Sequence, residues 1–229
     1  MPDRRRVLLL GASGLIGGAV MHQAMARPEM RLIALGRRET PMPQGARMEM
    51  VLADPLGWGD AIAGIAPVAA ICALGTTWAK SGRNEAAFRA VDHDLVLAVA
   101  QTCKDNGVEN FVLISSVGAE MASRTLYLRV KAETEAAVGR LGFRRLDILR
   151  PGLLRGPRQN DVRVLERLAM LASPLLDRML TGERRRYRSI AAEQVAEAGL
   201  NGALSKAGGR FTHEHDAIMR LARRMEERR

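Results

Sequence analysis

A glycine-spaced loop near the start of the chain constrains the fold more than any other feature. The apolar run Val7–Leu10 leads into a Gly-x-x-Gly-x-x-Gly loop, and a helix is predicted to follow it. Glycines at this spacing permit a tight turn and let the backbone approach a pyrophosphate, which then lies on the amides at the helix N-terminus. The residues predicted to bind a dinucleotide here are Gly11, Ser13, Gly14, Leu15, Ile16 and Gly17.

Two arginines after the second predicted strand indicate which dinucleotide binds. At the distance where an acidic residue would bind the ribose 2′-hydroxyl of NAD, the chain has Arg37 and Arg38. Guanidinium groups suit a 2′-phosphate in charge and in bidentate geometry, so we expect NADP(H), the alternative being two solvated surface arginines. Asp54 is expected to accept a hydrogen bond from the adenine amino group. The residues expected to pass beside the ribose are Leu74, Gly75 and Thr76.

Strand and helix patterns alternate along most of the chain, which predicts an α/β fold with a doubly wound parallel sheet. The predicted strands are Val7–Leu10, Arg31–Leu35, Met48–Leu52, Val68–Ala73, Phe111–Ile114 and Leu146–Leu149. The predicted helices among them are Gly14–Ala26, Glu85–Asn106 and Thr125–Leu141. Beyond Gly152 the pattern changes. The elements predicted there are helices at Val162–Leu171, Ala192–Ala203 and Ala217–Glu227 and a short strand at Tyr187–Ile190.

A tyrosine and a lysine four positions apart carry the predicted chemistry. Tyr127 and Lys131 share one face of a predicted helix, so the phenol and the ammonium point the same way. An ammonium near a phenol favours the phenolate, which makes the hydroxyl a better proton donor or acceptor near neutrality. Ser115 and Ser116 end the preceding strand, where a serine hydroxyl can hold the substrate oxygen while Tyr127 exchanges its proton.

In these motifs the chain resembles the short-chain dehydrogenase/reductases. The match covers residues 5–160 and runs from the glycine loop through the two serines and Tyr127-x-x-x-Lys131 to Arg150-Pro151-Gly152. Four segments are more narrowly similar to the atypical subgroup related to the Tat-interactive-protein oxidoreductase. They are Ala73–Thr77, Val91–Asp94, Leu126–Leu128 and Leu149–Gly152.

The resemblance implies a Rossmann-like fold, NADPH binding, and Tyr127 as the proton donor or acceptor. It also implies that Lys131 contacts the nicotinamide ribose, and it favours Ser116 over Ser115 as the family's serine. Asp92 stands where many family members have asparagine, so the chain departs from the family's proton-relay tetrad. We expect residues 1–152 to form the NADP-binding Rossmann domain and residues 153–229 a small substrate-binding cap portion integral to the same fold.

Composition narrows the classes of partner. The net charge of +10 suits a phosphorylated ligand. Nucleic acid is not expected, because aromatic residues make up only 3% of the chain and the basic residues are spread along it. No apolar run approaches the ~18 residues of a membrane span. Cys72 and Cys103 exclude a disulfide framework and a cysteine-rich zinc site, and they favour a cytoplasmic location. His213 and His215 lack an evident third ligand, so no metal is expected.

These observations together predict an NADPH-dependent oxidoreductase that transfers hydride to or from a small carbonyl or alcohol substrate. Two alternatives stay open. One is a catalytically weak NADP(H)-binding regulator that acts through a protein partner. The other is a nucleotide-sugar epimerase or dehydratase, for which the portion after Gly152 leaves less room. The sequence leaves open whether the chain forms a homo-oligomer.

Overall fold

A parallel sheet forms the centre of the molecule in the computed structural model, which describes residues 4–156 and 180–223. The strands are β1 (Arg5–Leu10), β2 (Met30–Gly36), β3 (Glu49–Leu52), β4 (Ala69–Cys72), β5 (Asn110–Ile114), β6 (Arg145–Leu149), β7 (Leu154–Arg155), β8 (Ile190–Ala191) and β9 (Gly209–His213). Seven of them form one sheet in the order β3-β2-β1-β4-β5-β6-β9, with every neighbouring pair parallel. The predicted Rossmann-like fold is confirmed, because the strand order reverses direction at β1 and β4.

Helices cover both faces of this sheet. They are α1 (Leu15–Ala24), α2 (Trp58–Ile65), α3 (Glu85–Arg89), α4 (Val96–Asp105), α5 (Leu126–Gly139), α6 (Ala192–Leu204) and α7 (His215–Arg223). Apolar side chains of α1, α6 and α7 pack on one face, and those of α2, α4 and α5 pack on the other. The run Val7–Leu10 is buried on both sides because alternate residues of a strand point to opposite faces.

The predicted helix Glu85–Asn106 is interrupted in its hydrogen bonding. A π-helical segment, Ala90–Leu95, joins α3 to α4. Such segments are uncommon and occur often at functional sites, because they re-aim one side chain within a helix. Apolar periodicity alone does not reveal them.

The chain after β6 departs most from the sequence prediction. The short strand predicted at Tyr187–Ile190 is wrong in its bounds: Tyr187 ends a 3-10 helix, Gly182–Tyr187, and only Ile190–Ala191 pairs, with β7. Strand β9 was not predicted, since its largely exposed sequence GRFTH lacks an apolar pattern. Helix α2 was also missed. The helix predicted at Val162–Leu171 lies outside the described residues.

Residues 190–223 extend the same sheet and its helical layer. Strand β9 pairs with β6, and α6 packs against α1 and the sheet. A cap portion integral to the main fold is what the sequence predicts; its boundary at residue 152 and its role in substrate binding stay predictions. Within the described ranges, the chain has no helix with the length and apolarity needed to span a bilayer.

Candidate active site

The glycine loop joins β1 to α1 in a geometry that larger residues do not fit. Gly11 has φ +88°, and a Cβ on it would lie 2.4 Å from the carbonyl oxygen of Ala73. A Cβ on Gly17 would lie 2.1 Å from the carbonyl oxygen of Gly11. Both distances are shorter than any tolerable contact with backbone, so glycine is required at both positions. The loop therefore lies directly against the end of β4.

The N-terminus of α1 is open to a ligand. Gly14 is its N-cap, no side chain caps it, and its first turn carries no acidic residue. Ser13 and Gly14 are exposed. Ile16 belongs to the hydrophobic core and Leu15 packs beside it, so Leu15 and Ile16 can offer a ligand only their backbone amides. Uncapped amides at the positive end of a helix dipole bind anions, so this cradle fits the pyrophosphate of a dinucleotide.

The other predicted cofactor residues follow neighbouring strands at the same edge of the sheet. Arg37 and Arg38 lie just beyond β2 and are exposed. Asp54 lies just beyond β3, also exposed, at the start of a 3-10 turn. The loop after β4 contains Leu74, Gly75 and Thr76. Because parallel strands present their carboxyl ends together, all these residues lie along one crevice with the glycine loop.

A buried ion pair lies at the centre of this crevice. The Lys131 ammonium on α5 is 2.8 Å from Oδ1 of Asp92, which is completely buried in the π-helical segment. Oδ2 of Asp92 accepts a hydrogen bond of 2.7 Å from the backbone N–H of Thr76. A Cβ on Gly75 would lie 3.2 Å from Oδ1 of Asp92, so a glycine lets the β4 loop lie over the pair. Asp92 thus joins α5 to the cofactor crevice.

The π-helical segment and one threonine fix Asp92 in place. The Thr134 hydroxyl on α5 lies 2.9 Å from the Asp92 carbonyl oxygen and 2.7 Å from that of Val130, in position to donate to either. The extra residue in the helical turn therefore brings the Asp92 backbone to α5, and its side chain to Lys131. The sequence marks Asp92 as a departure from the family, but does not show this contact.

Lys131 keeps its charge and lies beside the phenol of Tyr127. Its Nζ is 5.9 Å from the centre of the Tyr127 ring. Burial lowers the pKa of Lys131, but the carboxylate of Asp92, with help from Tyr127, outweighs it, so the pKa is raised above its usual value. Tyr127 itself is half-buried. The arrangement combines a fixed cation with an accessible proton-exchanging group.

The two predicted serines have different surroundings. Ser115 is buried and donates a 2.5 Å hydrogen bond to Glu135, which also pairs with Arg150 at 2.5 Å. The hydrogen bond from Arg150 to Glu135 raises the pKa of the guanidinium, so this small network is charged and closed. Ser116 is half-buried, and its hydroxyl makes only a 3.4 Å contact with the carbonyl of Val117. The hydroxyl of Ser116 is therefore the one available to a ligand.

Aromatic side chains flank the tyrosine. Phe88 is fully buried, with its ring centre 5.8 Å from that of Tyr127 and 6.1 Å from that of Trp78. Trp78 is 39% exposed, so it forms an outer wall of the crevice. Phe88 and Glu135 were not predicted from the sequence. Glu135 had one available signal, since it lies one helical turn beyond Lys131.

The histidines are engaged in hydrogen bonds. His213 lies 2.7 Å from Asp147, and His215 lies 2.8 Å from Asp216. Across residues 4–156 and 180–223, no three His, Cys, Asp or Glu side chains converge in a manner suited to a metal ion.

Comparison with known proteins defines the class. The family model described as NAD(P)H-binding matches residues 11–200. The chain is 32% identical to the fmp52 protein of Emericella nidulans over 210 residues, 89% of each chain. It is 38% identical to FMP52 of Saccharomyces cerevisiae over 157 residues, 67% of this chain and 68% of that one.

Solved structures share the fold. MoeE5 in complex with UDP-glucose and NAD has a TM-score of 0.69 at 15% identity, covering 97% of this chain and 82% of that one. The UDP-Glc/GlcNAc 4-epimerase of Campylobacter jejuni has a TM-score of 0.70 at 14% identity, covering 97% and 83%. Fold and crevice together define a Rossmann-type dinucleotide-binding protein. The chain belongs to the NAD(P)H-binding family and, within it, is homologous to the FMP52 proteins.

The prediction of a cytoplasmic location is wrong on these comparisons. The FMP52 relatives are named as mitochondrial proteins. Two cysteines indicate only a reducing setting, which does not distinguish the cytoplasm from other reducing compartments.

Proposed function

We propose that the protein is an NADP(H)-dependent oxidoreductase of the atypical short-chain type that interconverts a small carbonyl compound and its alcohol. The observation that carries the proposal is the buried Lys131 ammonium, held by Asp92 beside the accessible phenol of Tyr127. This group lies in the same crevice as an uncapped helix N-terminus suited to a pyrophosphate. An ion pair that has only a structural role does not require a titratable group beside it in a ligand crevice. The position of Tyr127 beside this pair therefore supports a catalytic role.

Each side chain has a distinct task in the proposed reaction. The bound cofactor supplies or accepts the hydride at the substrate carbon. In the reducing direction Tyr127 gives its proton to the carbonyl oxygen, and in the oxidising direction it takes the proton back from the alcohol. The fixed charge of Lys131 stabilises the phenolate that forms, and Ser116 donates a hydrogen bond to the substrate oxygen. Transfer of a hydride to the carbonyl carbon and of a proton to the carbonyl oxygen converts the carbonyl compound to its alcohol.

The preference for NADP(H) rests on Arg37 and Arg38. Both side chains are exposed beyond β2, where the ribose of the adenosine half is expected. At the position after β2 where an acidic residue would bind a 2′-hydroxyl, the chain has Arg37. Two guanidinium groups favour a phosphate there over a hydroxyl.

Replacement of the phenol tests the proposal. Tyr127→Phe should lower kcat for an active carbonyl substrate by about 10²–10⁴-fold, the usual contribution of a positioned proton donor. NADPH affinity, measured by calorimetry, should stay within a factor of about three, because the ring remains in place. An unchanged kcat in the variant, under conditions where chemistry limits the rate, contradicts the proposal.

The neighbouring serines provide a matched pair. Ser116→Ala should lower kcat without loss of thermal stability, because its hydroxyl makes only one long contact. Ser115→Ala should instead lower stability by about 1–2 kcal/mol with little effect on kcat, because it removes a buried hydrogen bond to Glu135. If the two variants behave the other way round, the roles assigned to the two hydroxyls are exchanged.

A nucleotide-sugar epimerase is the second candidate. The observation in its favour is the fold, which matches proteins solved with UDP-sugars and NAD across almost the whole chain. Such a reaction returns the hydride to the same substrate. Purified protein that keeps its cofactor and interconverts two UDP-sugars, without net oxidation or reduction, would favour this candidate over the first.

A further inference from the structure

An arginine-rich 3-10 helix forms one wall of the crevice. A Cβ on Gly152 would lie 3.0 Å from the Tyr187 carbonyl oxygen and 2.6 Å from that of Arg188, so the helix ends directly against the end of β6. A Cβ on Gly118, two residues beyond Ser116, would lie 4.0 Å from the ring of Tyr187. The segment Gly182–Tyr187 is therefore adjacent to the loop that carries the proposed catalytic serine.

The two sides of this helix have different contacts. In a 3-10 helix, side chains three positions apart lie above one another. Arg185 lies 3.6 Å from Asp216 on α7, and Arg188, three positions on, donates to the Leu180 carbonyl at 2.9 Å. This side anchors the helix to the rest of the molecule. Arg184 lies in the row of Tyr187, which meets the serine loop, and Arg186, in the third row, reaches the same place through its contact with the Tyr187 ring.

The side next to the crevice carries exposed positive charge. Arg184 and Arg186 are both exposed. The guanidinium of Arg186 lies over the Tyr187 ring, 5.0 Å from its centre. A cation held over an aromatic ring keeps its hydrogen-bond donors free at its edge. These are the donors that bind carboxylates and phosphates in bidentate geometry.

The phosphates of the cofactor do not account for this charge. Their cradle lies at the start of α1, which follows β1, and the expected 2′-phosphate site lies beyond β2. The arginine-rich helix lies at the end of β6, and β4 and β5 separate β6 from β1 in the sheet. With strands about 4.8 Å apart, the two regions are about 14 Å from each other. The charge therefore faces the substrate end of the crevice.

We infer that the substrate is an anionic carbonyl compound or its alcohol, whose carboxylate or phosphate group is bound by Arg184 and Arg186. Its apolar body lies between Tyr187 on one side and the wall formed by Trp78 and Tyr127 on the other. The inference rests on the proposed function for the nature of the reacting group, and on the arginine-rich helix for the charge.

Matched aldehydes that differ only in charge test the inference. The probes are 4-formylbenzoate, 3-formylbenzoate and 4-formylphenylacetate, each paired with its own carboxamide, together with 4-formylphenyl phosphate. Binding to the NADP⁺ complex is measured by calorimetry, where no reduction takes place. At least one anion should bind about tenfold more tightly than its neutral partner, as charge-assisted hydrogen bonds to arginine predict. The phosphate probe shows which anionic group is preferred.

Two double variants assign the preference to its residues. Arg184→Gln/Arg186→Gln should remove the preference for the anion and leave NADP⁺ affinity unchanged. Arg140→Gln/Arg220→Gln removes the same charge from exposed positions elsewhere and should keep the preference. A preference that survives the first double variant overturns the inference. So does a wild-type protein that binds no anion more tightly than its amide.

Turnover of the same probes with NADPH separates this inference from the proposed function. An anion that binds with the expected preference but is never reduced supports the anion site and counts against the reductase. Equal reduction of the charged and neutral aldehydes supports the reductase and overturns the anion site.

Discussion

Two buried charge clusters, one in the sheet and one between helices beside it, differ in whether a titratable side chain is partly exposed. This difference distinguishes a candidate catalytic site from a structural contact. The closed cluster consists of Arg145, Asp147 and His213, between β6 and β9. Arg145 binds Asp147 through two hydrogen bonds of 2.6 and 2.9 Å, and His213 lies 2.7 Å from the same carboxylate. Arg145 also stacks over the Phe211 ring at 4.5 Å. Every group faces another group of the protein.

The open cluster consists of Asp92, Lys131 and Tyr127. Its carboxylate is as deeply buried as that of Asp147, and its ion pair has a length of 2.8 Å against 2.6 Å. Its third member, however, is a half-buried phenol, which is partly exposed to solvent. Burial of charge is therefore common to both clusters, and access of a proton-exchanging group to the crevice is what distinguishes the candidate site.

The cations differ in a way that fits this distinction. A guanidinium is a rigid, permanently charged fork that matches a carboxylate along two bonds, which suits a fixed structural contact. An ammonium is a point charge that depends on its surroundings for protonation. Asp92 keeps the ammonium of Lys131 charged, and so keeps the field at Tyr127 constant.

The largest effect is expected in the closed cluster. Asp147→Ala leaves the Arg145 guanidinium buried without a counter-charge, which should lower the free energy of unfolding by about 3–5 kcal/mol. Urea denaturation measures the loss, and NADPH binding by the folded protein should stay the same. Asp147→Asn is the control, because it keeps hydrogen-bond acceptor capacity and should cost less. A loss in Asp147→Ala below about 1 kcal/mol would show that the cluster is not a structural element.

The next effect is expected in the open cluster and depends on pH. In Asp92→Asn the carboxylate no longer raises the pKa of Lys131, and burial, the largest single influence, outweighs that of Tyr127. The pKa should therefore be lowered in the variant, whereas the wild-type pKa is raised. The variant should lose its ammonium as pH rises through the lowered pKa, so kcat at pH 9 should fall by about 10–100-fold relative to wild type. At lower pH, where the ammonium persists, the difference should shrink.

The raised pKa also fixes the sign of the stability effect. The ion pair stabilises wild-type protein fully below the ordinary lysine pKa of 10.5, and this contribution is lost as pH rises through the higher folded value.

Asp94→Asn is the matched control for Asp92→Asn, since Asp94 lies in the same π-helical segment but is exposed and pairs with His93. Parallel pH profiles for Asp92→Asn and wild type would show that the carboxylate does not set the charge of Lys131.

The sequence predicted the sheet and the crevice, and did not predict what holds the crevice together. Val7–Leu10 and the glycine spacing are local signals. The first indicates a strand buried on both faces, and the second indicates a tight turn in which larger side chains would clash with the backbone. The contact of Asp92 with Lys131 depends on a π-helical turn and on the Thr134 hydroxyl across two helices. Such long-range contacts leave no periodic signal along one chain.

The same limit applies to the substrate end. The arginines of the 3-10 helix were visible in the sequence as one short basic cluster among several. Only the close approach of its end to Gly152 and Gly118 places that cluster beside the serine loop. The glycine loop is encoded in consecutive residues, while the proposed substrate end is assembled from residues distant in sequence.

A third, smaller effect is expected at the exposed charges that we propose bind the cofactor. Arg37→Ala/Arg38→Ala should weaken NADPH binding by about tenfold or more, because both guanidinium groups face the expected 2′-phosphate. NADH affinity should stay unchanged, which makes NADH the internal control in calorimetric titrations. Equal weakening of both nucleotides would assign the arginines to general attraction rather than to recognition of the phosphate. Unlike either buried cluster, these residues should have little effect on unfolding.

The smallest effect is expected where a charge pair lies beside the open cluster but in solvent. Arg89 on α3 binds Glu133 on α5 at 2.5 Å, with the two side chains 32% and 27% exposed. Glu133→Gln should lower the free energy of unfolding by only about 0.5 kcal/mol, because solvent screens the pair. The hydrogen bond from Arg89 lowers the pKa of Glu133, so the stabilisation is present above the ordinary pKa of 4.5 and lost as pH falls through the folded value.

Urea denaturation of wild type and Glu133→Gln at pH 7 and at pH 3, and again at pH 7 in 1 M salt, measures this contribution. The difference between the two proteins should disappear at low pH and in salt. A loss of 2 kcal/mol or more that survives salt would give this exposed pair the strength of a buried one. Solvent access would then no longer separate the strong charge contacts from the weak ones, and the comparison between the two clusters would need another physical basis.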